Sequence, residues 1–129
     1  MKKTTSPRRL KIYVAGPYTA PTRKLRCENV NIAIDVGLQI WKKGHVPYIP
    51  HLTHFIDERA SETGVCMTYE EYLAWDTEWL KTCTGLLYLG SSQGADLELE
   101  NAKHLGLSIY YSVDEIPYLI TEEESLTQT

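Results

Sequence analysis

The sequence predicts an α/β domain built on an open parallel sheet of four to five strands with helices on both faces. Two observations carry that expectation. Short apolar runs at 11–15, 45–50, 85–89 and 107–112 alternate with longer stretches of helical period. Glycine and proline punctuate the ends of the runs, as strand-to-helix turns require. Strands and helices alternating in this way build right-handed βαβ units, and hence a parallel sheet covered on both sides.

Taken in order, KIYVA (11–15) reads as a strand stopped by Gly16 and Pro17. A helix is expected over 22–43, ending at Gly44, because Ala33, Val36, Gly37 and Ile40 recur at i, i+3, i+4 and i+7. HVPYIP (45–50) gives a second short strand, weakened by Pro47 and Pro50. The stretch HLTHFIDERASETGVCMT (51–68) reads as irregular, long enough for a lid or a site loop. A second helix over 69–83 puts Tyr72, Trp75, Trp79, Leu80 and Cys83 on one apolar stripe. GLLYL (85–89) is the third strand, a helix over 95–105 follows, and LSIYYS (107–112) is the last strand. VDEIPYLI (113–120) reads as a closing turn of helix. With no internal repeat and no linker, 11–121 is expected to be a single domain between a flexible tail at 1–10 and a flexible acidic tail at 122–129.

Composition narrows the function classes. The 129 residues are 43% hydrophobic and 23% charged, the balance of an ordinary globular domain. A net charge of −4 leaves no basic footprint for a nucleic acid polymer. No apolar run approaches the ~18 residues of a membrane span, so a membrane partner is not expected. MKKTTSPRR is basic but lacks the apolar segment of a signal peptide. Cys27, Cys66 and Cys83, odd in number and without a CxxC pair, suggest reduced thiols in a cytoplasm.

The chemistry concentrates at two loops. In a parallel sheet, ligands sit beyond the carboxyl ends of the strands, near a topological switch point. GPYTAP (16–21) and GSSQG (90–94) occupy such ends. SSQGA packs small residues at a strand-to-helix turn, where N–H groups and a hydroxyl can hold an anion. It matches neither the Walker pattern nor GxGxxG, so ATP and dinucleotide cofactors are not expected.

Three acids open the helix that follows. Glu98 shares a face with Ala102 and Leu105 and should point inward, whereas Glu100 lies about 200° away and should be solvated. Asp96 is most simply an acid complementing the helix dipole. Asp76 sits within the apolar stripe of its own helix, where a carboxylate must be paired or have its pKa raised. His51 and His54 lack a third ligand at sensible spacing, so no metal is expected. Tyr13, Tyr18, Tyr48 and Tyr69 suit packing at strand ends, with stacking on a base as the alternative.

Taken together, IYVAGPY (12–18), Asp76 in AWDTEWL and GLLYLGSSQGADLELENAKHLG (85–106) resemble the nucleoside 2-deoxyribosyltransferase-like superfamily. The resemblance runs from about 11 to 111. Its characteristic element is S-x-G-x-x-x-E-x-x-x-A-x-x-x-G, here Ser92, Gly94, Glu98, Ala102 and Gly106. In motif the chain comes nearest the 2′-deoxynucleoside 5′-phosphate N-hydrolase branch.

The resemblance implies a flavodoxin-like, Rossmann-like fold and N-glycosidic bond chemistry on a small-molecule nucleotide or nucleoside, with no cofactor. By that likeness Glu98 is the nucleophile on C1′ and Asp76 assists proton transfer. Gly16, Pro17 and Tyr18 line the pocket, and Ser92, with Gly94 in the same turn, meets the 5′-phosphate. The family tends to dimers, so a homo-oligomer, dimer or higher, is implied. One departure stands out. Many relatives have an aspartate just before the third strand, where this chain has Thr84. In the transferases that aspartate contributes to the site, which weighs against base exchange here. Three activities remain open: nucleotide hydrolysis, base exchange between deoxynucleosides, and nucleotide binding without turnover.

Overall fold

The computed structural model describes residues 5–120. Four strands form one parallel sheet: β2 (Lys11–Ala15), β3 (Val46–Tyr48), β4 (Gly85–Tyr88) and β5 (Ser108–Tyr110), in the order β3-β2-β4-β5. A second sheet pairs β1 (Thr5–Ser6) with β6 (Tyr118–Leu119), also parallel. The helices are α1 (Arg23–Lys42), α2 (Thr53–Glu62), α3 (Tyr69–Leu80) and α4 (Gln93–His104), with short 3₁₀ turns at Pro50–Leu52 and Val113–Glu115. This is the open α/β sheet expected, with four strands in its main layer.

Alternation along β2 divides the core in two. Ile12 and Val14 pack with Ala33 and Ile40 of α1, together with Leu87 and Ile116. Tyr13 and Ala15 face the other way, against Leu80, Leu86, Ala95 and Ala102, on the side of α3 and α4. A period of two on a central strand thus buries both faces of the sheet.

The helix starts are capped as their sequences suggest. Thr22, Thr68 and Ser92 each accept a hydrogen bond from the backbone N–H three residues on. Gly44, with φ of 98°, ends α1 in the left-handed region, and a Cβ there would lie 2.6 Å from that of Leu119. Gly37 lets α1 approach the sheet closely, because a Cβ would lie 2.5 Å from Ile49 Cδ1.

Several expectations are corrected. The stretch 51–68 is mostly helical, containing a 3₁₀ turn and the ten residues of α2. In α2 His54 is buried, and little apolar surface marks the helix in the sequence. On α3, Trp75 and Trp79 are 41% and 51% exposed; the inward face is Tyr72, Leu73, Asp76, Thr77 and Leu80. Leu105 is exposed at the end of α4 and shares no buried face with Glu98. Residues 113–120 form a 3₁₀ turn followed by strand β6.

Residues 5–10, expected to be part of a flexible tail, are tied to the rest of the fold. Thr5–Ser6 is strand β1, and the Leu10 N–H donates to His45 Nδ1 at 2.9 Å. His45 is fully buried and its other ring nitrogen meets the Pro117 carbonyl at 2.6 Å, so one imidazole joins the segment before β2 to the segment before β6. Residues 1–4 and 121–129, which include the expected acidic tail, lie outside the described residues. Among the described residues, no helix is long and apolar enough to cross a membrane.

Candidate functional site

After β2 the chain passes through α1 to β3 on one side of the sheet, then crosses to β4 on the other. The carboxyl ends of β2 and β4 therefore flank the switch point, where open α/β sheets hold their ligands. A cavity of about 550 Å³ lies there. It is lined by Gly16 and Tyr18 after β2, His51 and His54 after β3, Asp76 on α3, and Ser92, Gly94 and Glu98 at the start of α4. Pro17 is not among its lining residues; its carbonyl, with that of Gly16, faces His51 Nε2.

Glu98 is the most perturbed acid. Burial is the main cause that pushes its carboxyl up to about 8, the Asp76 charge adds to the rise, and the Tyr13 hydroxyl offsets part of it. Oε1 is the oxygen nearer Gly94, 3.9 Å from where a Cβ would stand on that residue. Oε2 and the Tyr13 hydroxyl are buried, and neither has a hydrogen-bond partner at good geometry among the described residues. The two groups still influence one another electrostatically, which fits a contact slightly outside ideal geometry.

Asp76 lines the same cavity from the middle of the inward face of α3. Burial raises its pKa to about 6, against the pull of the Tyr48 hydroxyl, which donates to Oδ1 at 3.1 Å. Tyr48 is itself held between Tyr13 and the stacked ring of Trp79, at centroid distances of 5.3 and 5.6 Å. Tyr13 and Tyr48 do pack and also supply the hydroxyls facing the two acids, whereas Tyr69 is half exposed and lines the cavity with Tyr18.

The other acids of α4 have separate duties. Asp96 accepts from the Tyr88 hydroxyl at 2.6 Å and from Ser91 at 2.7 Å, which lowers its pKa and locks the turn before the helix. Glu100 is exposed and lies 3.8 Å from Lys103. Glu100→Gln should therefore leave ligand binding and any turnover unchanged within about twofold, since an exposed pair of this kind contributes little. A loss equal to that of a Glu98 substitution would mean the wrong glutamate carries the site.

Ser92 caps α4, its Oγ accepting from the Ala95 N–H at 3.1 Å. Its hydroxyl hydrogen remains to donate outward, beside the amino end of the helix. Thr84, by contrast, has no part in this site. Its hydroxyl bonds both the N–H and the C=O of Lys11, at 3.0 and 3.1 Å, at the amino ends of β2 and β4. The weight placed on position 84 for base exchange therefore has no support in the geometry.

The two histidines were the missed residues. His51 is 4% and His54 3% exposed, and both line the cavity. Burial lowers the His51 pKa, so its ring is neutral and Nε2 carries the hydrogen shared by the Gly16 and Pro17 carbonyls. His54 Nδ1 lies 2.6 Å from the Tyr18 hydroxyl, with Cys27 Sγ 3.7 Å from Nε2. Their i, i+3 spacing in PHLTHF, after a strand ending, was the available signal, since that spacing brings two side chains to one side of a helical turn. Among the described residues no His, Cys, Asp and Glu group could hold a metal ion. The three cysteines are free thiols.

The model of a domain of unknown function, DUF7768, matches residues 10–112, and the chain belongs to that family. The match spans the four-stranded sheet and α1–α4 and leaves the β1–β6 pair outside it. No curated protein matches the chain.

Proposed function

We propose that this member of the DUF7768 family is a 2′-deoxynucleoside 5′-monophosphate N-glycosidase, releasing a free base and deoxyribose 5-phosphate. One observation carries the reading. Two carboxyl groups from different helices, Asp76 and Glu98, enter one cavity at the switch point, and burial holds both above the ordinary carboxylate range. Pairs of titratable groups with separated pKa values are how one site performs acid and base steps. The resemblance of 12–18, Asp76 and the 92–106 motif to nucleoside 2-deoxyribosyltransferase-like proteins supports the same reading. The protein is, on this reading, a cytoplasmic homo-oligomer, dimer or higher.

In the mechanism, the phosphate lies at the amino end of α4, where unpaired N–H groups and the Ser92 hydroxyl favour an anion. The bond from C1′ to the base lengthens through an oxocarbenium-like state. Glu98 bonds to C1′ on one side while Asp76 gives its proton to the departing base. Water then releases the sugar. At pH 7 the free pair holds its proton on Glu98, because about 8 lies above and about 6 below. Positive charge growing at C1′ favours the Glu98 anion, and exclusion of water by the substrate favours neutral Asp76.

A nucleotide-binding module without turnover is the second reading. The observation favouring it is the same resting proton on Glu98, since a protonated carboxyl is no nucleophile.

Substrate form tests the phosphate site. The wild type should prefer a deoxynucleoside monophosphate strongly over the free deoxynucleoside. Ser92→Ala should narrow that preference by about 1–2 kcal/mol, the scale of one charge-assisted hydrogen bond. The variant also loses a helix cap, so the nucleotide-to-nucleoside ratio is the quantity to compare. Equal wild-type activity on both forms contradicts the phosphate role.

A further inference from the structure

The cavity has a second polar assembly, independent of Asp76 and Glu98. The Tyr18 hydroxyl lies 2.6 Å from His54 Nδ1, and His54 Nε2 lies 3.1 Å from Glu58 Oε1. Arg23 grips Glu58 at both carboxylate oxygens, at 2.6 and 3.0 Å. Tyr18 and His54 line the cavity, His54 is buried, and the Glu58 side chain is 37% exposed. A continuous row of hydrogen-bonding groups thus leads from the cavity wall to solvent.

The partners fix where the hydrogens lie. A carboxylate held by a guanidinium is ionised and only accepts, so it takes the hydrogen of His54 Nε2 at 3.1 Å, and Cys27 Sγ, 3.7 Å from the same nitrogen, is a second and weaker acceptor. With the ring hydrogen on Nε2, Nδ1 is an acceptor and the Tyr18 hydroxyl donates to it. The lone pairs of the Tyr18 oxygen are left to accept from a donor in the cavity. This is the geometry of a base that works through a tyrosine, with the carboxylate positioning the imidazole.

We propose that Tyr18, His54 and Glu58 form the relay that activates the water completing hydrolysis; the inference rests on the function proposed above. After the base has left, C1′ is joined to a Glu98 oxygen. A water O–H proton passes to the Tyr18 oxygen as the Tyr18 proton passes to His54 Nδ1. The water oxygen bonds to C1′, and the bond from C1′ to Glu98 breaks with its electron pair returning to the carboxylate. The added proton rests on the imidazolium beside ionised Glu58 and leaves to solvent from there. Tyr18 is the group that touches the water; His54 and Glu58 act through it.

The test follows base release from a deoxynucleoside monophosphate by rapid quench in the wild type, His54→Gln and Tyr18→Phe. Tyr18→Phe keeps the ring should the histidine variant fail to fold. Each variant should release one equivalent of base per site at close to the wild-type rate, then turn over about a hundredfold more slowly. Azide, a nucleophile that needs no deprotonation, should restore turnover and give the 2-deoxyribosyl azide 5-phosphate. The double variant should be no slower than the worse single one. A first equivalent slowed as much as the steady state, or no response to azide, overturns the relay and leaves the glycosidase reading standing. No base release by the wild type overturns both.

Discussion

Glu98→Gln removes base release, lowering turnover by roughly a hundredfold or more, the scale expected for a positioned carboxylate lost from a transition state. The same change leaves the fold intact and improves its stability at alkaline pH. The sign follows from the raised pKa. Unfolded Glu98 titrates near 4.5, as an ordinary glutamate does, and the folded residue at about 8. Between those values the folded state holds more protons than the unfolded one, so stability falls as pH rises through the window. Glutamine has no such proton to lose and removes that slope. Chemical denaturation of both proteins at pH 5 and pH 8.5 checks it. The wild type's stability should decline more steeply than the variant's, which keeps only the smaller slope of Asp76, raised to about 6. Normal turnover in Glu98→Gln would sink the nucleophile assignment, and an unfolded variant would deny the stability sign.

Asp76→Asn keeps nucleotide binding but cuts turnover by roughly a hundredfold, as loss of a general acid does. With both acids present, the rate should follow a bell with limbs near 6 and 8, the values belonging to the pair. Removing Asp76 removes the group that must be protonated, so the alkaline limb flattens. The Glu98 pKa should also fall, since the Asp76 charge contributes to its rise. Combined with Glu98→Gln, the two losses should be less than additive, because both acids serve one transition state. A pH–rate profile in Asp76→Asn with both limbs intact would remove Asp76 from the chemistry.

Much of this arrangement was legible in the sequence, and the exceptions share a physical cause. Strands β2 and β4 are apolar runs buried on both faces, and α1 carries a core stripe at Ala33, Gly37 and Ile40. Such elements announce themselves by periodicity. Asp76 and Glu98 were visible because an acid on an inward helix face conflicts with its surroundings. Helix α2 was not visible, since polar contacts anchor it: Arg23 to Glu58, Tyr72 to Asp57, and Tyr18 to His54. A hydrophobic pattern cannot report partners thirty-five residues apart in the chain. The β1–β6 pair escaped for a similar reason. Its two-residue strands are held by His45 and Lys43, the latter donating to the Val113 and Ile116 carbonyls. Trp75 and Trp79 misled in the opposite sense, because aromatic residues at helical spacing need not face the core.

The central claim is that the Asp76–Glu98 cavity cleaves the N-glycosidic bond of a deoxynucleotide. Incubating the wild-type protein with a panel of deoxynucleoside monophosphates and quantifying products tests it most directly. Free base and deoxyribose 5-phosphate should appear in equal amounts, at a rate lost in Glu98→Gln. A nucleotide that binds in the cavity and is recovered intact would contradict the account and leave the chain a nucleotide-binding module.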